Sequence, residues 1–488
     1  MKKLLSLILA ILMLATCLVA CNETPDNPVD DPDKDTTENE GTDESAEDTL
    51  LYPPVDPAKA TLFVGYGRED ITPDDTMLPS LRLAGYAEGR EITEVESSLY
   101  VSCTAFKDAE DDIALVYTLD LHAMSPAQVT AVAAAITKAT KVPKANIILN
   151  VTHNHAAPGT GGIYLEKVIT PAVVTAGEEA IADLKACTEL YAGEVDMKYY
   201  AFIRRYLSED GVLTAHEHEM DNMIPVARFV RDGGKDVILV NFAAHCDTVS
   251  GRAWNTLSGD YVSAFRRVIE HELDAHFSMQ LGATGDVNPN TRLDEPNFYG
   301  STDNYGRNLG YKLLNEIKKL PQLEIKGNVE AKSSTARVEV DHSTDHLLDK
   351  AEEINSLYYG AEDKGPAEEK MKEYGILSIY DAMYIVSRAG RGEFERRNVS
   401  AVSIGNIMFA AADYEMFAQT GRNIKDAGNE NFDLTFMCAY SNGMIGYIPA
   451  EYAFENGGYE VYSCPYVKGS AEIIEAKIIE LMDELAAK

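Results

Sequence analysis

Two histidines stand two residues apart where an apolar run gives way to a glycine-rich segment. His153 and His155 follow the end of that run and precede Gly159, Gly161 and Gly162. Because side chains alternate along a strand, the two imidazoles can point to the same side. One could bind zinc while the other transfers protons, and a hydrogen-bonded histidine pair is the alternative interpretation.

Three further polar residues stand at the ends of apolar runs or in a turn-rich loop. The apolar run 237–244 ends on His245, at a strand end where ligands collect in open α/β sheets; a core histidine bonded to the backbone is the alternative. Asp286 could orient a ligand histidine or cap a turn. Glu415 offers a carboxylate at the start of a helix, where it could equally be a first-turn residue that favours the helix dipole.

Other candidate residues are set aside. His216 and His218 repeat the two-residue spacing in a charged stretch without a glycine loop, which favours a solvated turn. His342 and His346 lack the intervening glutamate of the His-Glu-x-x-His zinc motif. Trp254, the single tryptophan, could form a pocket wall, and simple packing is the alternative.

The amino-terminal residues have the pattern of an export signal with a lipidation site. Lys2 and Lys3 precede an apolar run, and Cys21 follows a leucine, a valine and an alanine. A membrane-spanning helix is the alternative, but the run is short for that role. We expect residues 1–21 to be a lipoprotein signal peptide with its lipobox, and Cys21 to anchor the chain at the outer face of a bacterial membrane. Residues 22–52 are acidic and lack apolar periodicity, which predicts a disordered tether.

Composition excludes some functions. The formal net charge of −36 makes nucleic acid and anionic membrane surfaces poor partners. Apart from Cys17 and Cys21, five cysteines remain at irregular spacing, which does not indicate a disulfide framework. The folded part exceeds the size at which single cores usually stop growing, so two domains or one large multilayer domain are expected.

Apolar runs and helical patterns alternate along 53–488. The predicted strands are 60–65, 99–106, 113–119, 146–151, 224–230, 237–244 and 399–411. The predicted helices are 125–140, 261–276, 305–318 and 471–487. A turn at 231–234 predicts a hairpin, and hence a partly antiparallel sheet. The expected class is α/β, with mixed β-sheets flanked by helices in a multilayer αββα-like arrangement within one large catalytic domain. A charged helical insertion near 333–398 is expected to lie over the site.

Together these segments resemble the neutral, non-lysosomal ceramidases and their bacterial relatives. The similar motifs, in chain order, are 65–73, 83–86, 152–155, 241–245, 258–261, 285–290, 415–417, 446–447 and 459–460. The resemblance implies a zinc-dependent hydrolase of carbon–nitrogen amide bonds, as in sphingolipid metabolism. It implies four zinc ligands, namely His153, His245, Glu415 and Tyr447. It also implies three residues that act on the scissile group, namely His155, Tyr459 and Arg204.

The chain departs from the ceramidase pattern at two places. Gly282 stands where these enzymes carry a serine proposed as nucleophile, so zinc-activated water is the expected nucleophile. We also expect the chain to lack the immunoglobulin-like domain that follows the Tyr-Glu motif in members acting on ceramide. The expected substrate is therefore a small-molecule amide. The sequence does not decide whether its acyl group is a lipid. A hydrolase of a non-ceramide amide or ester, and a non-catalytic surface lipoprotein that binds a lipid or another ligand, are the alternatives.

Overall fold

The fold is organised by two stacked β-sheets with helices on both outer faces. The structure, a computed structural model, describes residues 51–207, 213–216, 220–291 and 302–487. The predicted signal peptide lies outside these residues, as does the predicted tether apart from residues 51 and 52.

The strands have the following bounds: β1 Leu62–Asp70, β2 Glu94–Val95, β3 Tyr100–Asp108, β4 Ile113–Leu119, β5 Ile147–Val151, β6 Lys185–Asp196, β7 Ala201–Leu207, β8 Leu213–His216, β9 Met223–Arg231, β10 Val237–Phe242, β11 Thr256–Leu257, β12 His276–Leu281, β13 Val287–Pro289, β14 Gln322–Leu323, β15 Val329–Glu339, β16 Phe394–Ile404, β17 Ile407–Ala412, β18 Glu415–Met416, β19 Leu434–Cys438 and β20 Tyr447–Ile448.

The helices have the following bounds: α1 Pro126–Thr140, α2 Gly162–Tyr164, α3 Thr170–Ala182, α4 Asp260–Leu273, α5 Thr302–Ile317, α6 Leu348–Tyr358, α7 Gly365–Tyr374, α8 Ile379–Arg388, α9 Ala418–Asn429, α10 Ala453–Asn456, α11 Tyr459–Ser463 and α12 Ser470–Ala486. One π-helical turn, Leu165–Ile169, leads into α3. Among the described helices, none is both long and apolar enough to cross a bilayer.

The larger sheet is mixed, as the sequence predicts. Its strand order is β12-β10-β9-β6-β1-β3-β4-β5, with β14 attached to β6. Strands β10 and β12 are parallel, as are β4 and β5, whereas β9 and β10 are antiparallel across the predicted turn at 231–234. Every residue of β10 is buried, because both faces of the sheet are covered.

The second sheet, of order β15-β16-β17-β19, packs face to face on the first. Phe106 of β3 contacts Phe229 of β9 and Phe409 of β17, with ring centroids 5.3 and 6.0 Å apart. On the outer faces, α3 packs on β1 and β3, and α12 packs on β15 and β16. The order of layers is therefore helix, sheet, sheet, helix, and the expected αββα-like class is confirmed.

Local sequence signals account for several element boundaries. The Ser125 hydroxyl accepts a hydrogen bond from the Gln128 amide, and the Gln128 side chain bonds back in a capping box, so α1 begins where predicted. The run 399–411, predicted as one strand, is instead the hairpin of β16 and β17. Its turn contains Gly405, which has a φ of 56°, a conformation that glycine adopts without steric cost. The five cysteines among the described residues are buried and free.

The charged helical insertion is narrower than the predicted 333–398. Strands β15 and β16 pair along their whole lengths, from Val329 with Ile404 to Glu339 with Phe394. The excursion between them is therefore 340–393 and contains α6, α7 and α8. Its helices bury a small apolar cluster of their own, separate from the main core.

The two edge strands of the large sheet meet through the side chain of Asn150. Its Oδ1 accepts from the backbone amide of Leu281 at 2.7 Å, and its Nδ2 donates to the carbonyl of Ala439 at 2.6 Å. Asn150 is fully buried. These bonds bring the carboxyl ends of β5, β12 and β19 to one place, which is where the polar residues found in the sequence converge.

Asn150→Ala is expected to lower the free energy of unfolding by about 2–4 kcal/mol. The change leaves the buried Leu281 amide without its partner, which costs roughly 1–3 kcal/mol, and removes a hydrogen bond to the Ala439 carbonyl, which is worth about 0.5–1.5 kcal/mol. Denaturant unfolding measures the difference. Asn431→Ala is the matched control, because Asn431 is an exposed residue; equal stability of the two variants would contradict the role given to Asn150.

Candidate metal centre

Two strands of the larger sheet and the short strand β18, which forms a separate pair with β20, deliver the central residues of the site. His153 follows β5 in a left-handed turn with a φ of 53°, and His245 follows β10. Glu415 belongs to the short strand β18, which lies beside Tyr447 of β20 in parallel register. The site therefore lies where the carboxyl ends of β5 and β10 meet the β18–β20 pair, and residues far apart in the sequence come together there.

His153, His245 and Glu415 point their donor atoms at one another. The Oε2 atom of Glu415 lies 3.4 Å from Nε2 of His153 and 3.7 Å from Nε2 of His245. The donor atoms of all three residues lie within 4.8 Å of one another. None of the three is more than 5 % exposed, so bulk water does not screen them.

Backbone carbonyls set the tautomers of both imidazoles. Nδ1 of His153 lies 3.0 Å from the carbonyl of His122, and Nδ1 of His245 lies 3.0 Å from the carbonyl of Val287. Since a carbonyl only accepts, each Nδ1 carries a proton, and a neutral ring then presents a lone pair at Nε2. Burial lowers the pKa of His153 well below its usual range. The Nε2 lone pair of His153 and the Glu415 carboxylate are thus two acceptors 3.4 Å apart.

A cation between these acceptors would relieve their repulsion. Two imidazole nitrogens and one carboxylate oxygen form a donor set that zinc binds. Carbonyls that hold the other ring nitrogen are the usual support of such ligands. The residues present therefore fit a zinc ion.

Tyr447 is held beside this group by Arg204. Its hydroxyl accepts a hydrogen bond from Arg204 at 2.9 Å, and Arg204 Nε donates to Glu460 at 2.8 Å. Another bond runs from Arg204 to the carbonyl of Gly285 at 3.1 Å. Burial raises the pKa of Tyr447 well above its usual range, and the adjacent guanidinium of Arg204 opposes that effect. Arg204 thus fixes a candidate ligand; its implied contact with the substrate carbonyl stays a prediction.

His155 and Tyr459 lie on two sides of the same cluster. Nε2 of His155 is 3.2 Å from Nε2 of His153, and the Tyr459 ring centroid is 5.4 Å from that of Tyr447. With these two, the structure brings all seven residues implied by the sequence resemblance into one connected group.

Gly85→Ala is expected to reduce the hydrolysis implied by the sequence resemblance at least tenfold and to leave the implied metal binding unchanged. Gly85 has a φ of 94°, and an added Cβ would lie 2.4 Å from Nδ1 of His155. The His155 ring must therefore move, and displacement of a reacting group by about 1 Å can cost on the order of 100-fold. Steady-state kinetics with zinc analysis tests this, with Gly161→Ala as control because its added Cβ meets nothing within 4 Å. Full turnover of Gly85→Ala would contradict a role for the His155 orientation.

Sequence reasoning missed two residues in the cluster. The His122 ring centroid lies 4.4 Å from that of His153 and 4.9 Å from that of His155, and burial lowers the pKa of His122 to about 4. The Tyr440 ring packs on His153 at 4.5 Å, and its hydroxyl lies 3.4 Å from Oε2 of Glu415. His122 follows β4, the neighbour of β5, so its position after a strand was a usable signal. Tyr440 had none.

The helical insertion also contributes to the site. The Tyr380 ring on α8 contacts the Tyr459 ring at a centroid distance of 5.2 Å, and its hydroxyl accepts from the Ala87 amide at 3.4 Å. Tyr384, one turn later, interacts through its hydroxyl with Tyr459. The insertion thus supports Tyr459 from the side away from Tyr447.

The remaining candidates have other roles. Asp286 accepts from the backbone amide of Ala418 at the start of α9, at 2.8 Å, so this bond joins it to a distant helix rather than to a turn of its own loop. The Val287 carbonyl contacts His245 instead. His342 and His346 are exposed on the insertion, and neither belongs to a possible metal group among the described residues. The His216–His218 motif extends beyond the described residues, so its predicted surface turn stays a prediction.

Comparison with known proteins supports the fold. No protein-family model and no curated protein matches the chain. Among solved structures, neutral ceramidase from Pseudomonas aeruginosa is similar, with 14% identity and a TM-score of 0.67 over 88% of this chain and 75% of that one. A ceramidase complexed with C2 is similar at 15% identity and a TM-score of 0.64, over 88% and 76% of the two chains. The chain therefore contains a domain with the neutral ceramidase fold, and the resemblance stated from the motifs is confirmed at that level.

Proposed function

We propose that this chain, which has a neutral ceramidase-like fold, is a zinc-dependent hydrolase of amide bonds in small, lipid-like substrates. The observation that carries the proposal is the convergence of two imidazoles, each held at Nδ1 by a backbone carbonyl, and a carboxylate on one point. His153, His245 and Glu415 would hold the ion, and Tyr447 would complete the ligand set from the neighbouring strand.

The chemistry supplied by bound zinc is Lewis acidity toward the substrate carbonyl and a pKa of roughly 7 for coordinated water. Such water suits a site in which residue 282 is glycine. A covalent route through a side chain at that position is excluded, because glycine has no nucleophile.

His155 is the candidate for proton transfer. Its ring is only 9 % exposed, its Nε2 faces the ligand group, and burial lowers its pKa well below the usual range. A neutral imidazole can accept a proton from the attacking water and pass it to the leaving amine. General acid–base catalysis of this kind contributes about 10²–10⁴-fold.

Tyr459 is the candidate donor to the oxyanion that forms as the carbonyl is attacked. Burial raises its pKa above the usual range, so the phenol keeps its proton at neutral pH. Loss of one such donor costs on the order of 100-fold or more. Tyr380 and Tyr384 hold this phenol in place from the insertion.

Metal analysis combined with an amide panel tests the proposal. The purified chain is expected to contain one zinc ion and to release amine from at least one fatty-acyl amide, ceramide included in the panel. A chelator should stop amine release and added zinc should restore it. Saturable binding of the same amides without any amine release would contradict hydrolysis and favour the alternative of a binding lipoprotein.

We also propose that Cys21 anchors the chain by a lipid to the outer face of a bacterial membrane. The support is the apolar run that ends in Leu18, Val19 and Ala20 before this cysteine. Cys21→Ala is expected to move the protein from the membrane fraction to the soluble fraction after export. Retention of the variant in the membrane fraction would contradict the anchor.

A further inference from the structure

A row of aromatic rings leads from the candidate metal centre to the surface. The Tyr86 ring meets the His155 ring edge-on, with centroids 5.5 Å apart. Trp254, on the loop that follows His245, lies 4.6 Å from Tyr86. Trp254 is 51% exposed, although the rings beside it are largely enclosed. Trp254 therefore offers ring surface to solvent next to Tyr86, which in turn contacts His155.

A buried arginine fixes the row. The guanidinium of Arg90 lies 4.6 Å from the ring centroids of both Tyr86 and Trp254. It donates to the carbonyl of Trp254 at 2.9 Å, to that of Ala84 at 2.9 Å, and to that of His155. Arg90 is only 4% exposed, so the row and the backbone of His155 form one rigid unit.

The polar group of Tyr86 is directed into the protein. Its hydroxyl bonds the carboxylate of Asp247 at 2.9 Å and lies 3.3 Å from the hydroxyl of Ser250. A ligand passing along the row would therefore meet ring surface, because the phenol is engaged on its inner side. Aromatic ring surface of this kind binds apolar groups and flat rings better than small polar groups.

We infer that Tyr86 and Trp254 form the subsite for the amine half of the substrate, and that this half carries an alkyl or aryl group. The inference rests on the proposed function, in which His155 passes a proton to the leaving amine. The amine nitrogen must then lie next to His155. Its substituent extends from there over Tyr86 toward Trp254, whereas the carbonyl oxygen faces Tyr459 on the other side of the cluster.

A set of amides with one acyl group and different amines tests the subsite. Decanoyl amides of benzylamine, octylamine and methylamine are compared in the wild-type chain and in Trp254→Ala. We expect the wild type to favour benzylamine and octylamine. The preference is measured as the kcat/KM of the benzylamine or octylamine amide divided by that of the methylamine amide. In Trp254→Ala this ratio should fall about tenfold, because KM for the two larger amides rises. Tyr311→Ala, which removes another exposed ring on a distant helix, should keep the wild-type ratio.

Tryptophan fluorescence gives a second readout that does not require turnover. Trp254 is the only tryptophan, so benzylamine bound on the row should change the emission, and methylamine at equal concentration should not. An unchanged amine preference in Trp254→Ala, or emission that does not respond to benzylamine, would overturn the subsite. A failure to hydrolyse any amide would contradict the proposed function instead, so the two failures are distinguishable.

Discussion

His245→Ala is expected to abolish the proposed zinc binding and to lower the proposed amide hydrolysis by on the order of 10³-fold or more. His245 supplies one of the three donor atoms that lie within 4.8 Å of one another, so its loss leaves only His153 and Glu415 of that group. A Lewis acid stabilises the transition state by several kcal/mol, and each 1.4 kcal/mol corresponds to a tenfold change in rate. Elemental analysis measures the zinc, amine release measures turnover, and circular dichroism checks the fold.

His153 requires a different substitution because its φ is 53°. Alanine in the left-handed region costs about 1–2 kcal/mol, whereas asparagine tolerates it. His153→Asn should therefore separate metal loss from backbone strain. His271→Ala is the control, since the His271 side chain is 83% exposed. Full zinc content in both ligand variants would contradict the assigned centre.

Glu460→Gln is expected to destabilise the protein by about 3 kcal/mol and to reduce turnover more than tenfold. Glu460 is 2% exposed and lies 2.7 Å from an amino nitrogen of Arg204. Removing its charge leaves a buried guanidinium uncompensated, and breaking such a pair typically costs about 3–5 kcal/mol; the retained amide oxygen limits the loss. Arg204 would also hold the Tyr447 hydroxyl less firmly, which links the stability change to activity.

Denaturant unfolding and steady-state kinetics measure the two effects of Glu460→Gln separately. Glu455→Gln is the matched control, because the Glu455 side chain is 77% exposed and its surface ion pair contributes about 0–1 kcal/mol. An unfolding midpoint and a turnover equal to those of the control would contradict a structural role for the Arg204–Glu460 pair.

Sequence patterns located much of the site because polar residues at the ends of apolar runs are visible without a structure. His153 follows β5 and His245 follows β10, and in each case the loss of apolar character marks the end of the strand. The carboxyl ends of strands collect ligands in open α/β sheets. The same reasoning applied after β4 would have found His122.

Other residues were invisible to pattern analysis. Tyr440 and Tyr384 enter the site through contacts between segments far apart in the chain. The hairpin of β16 and β17 was predicted as one strand because both arms are apolar, and only the conformation of Gly405 separates them. The limits of the insertion were misplaced because β15 carries charged residues on its exposed face.

The sequence by itself determined the available chemistry: imidazoles, a carboxylate and phenols, with glycine at 282 in place of a nucleophile. It also determined the α/β class, because the spacing of apolar residues and the positions of turn-forming residues can be read from short stretches of sequence. Only the tertiary structure decided which donors face one another and which ring nitrogen of each histidine is open to a ligand. Those choices depend on carbonyls of His122 and Val287, which are supplied by segments distant in the chain, and no local pattern encodes a contact between distant segments.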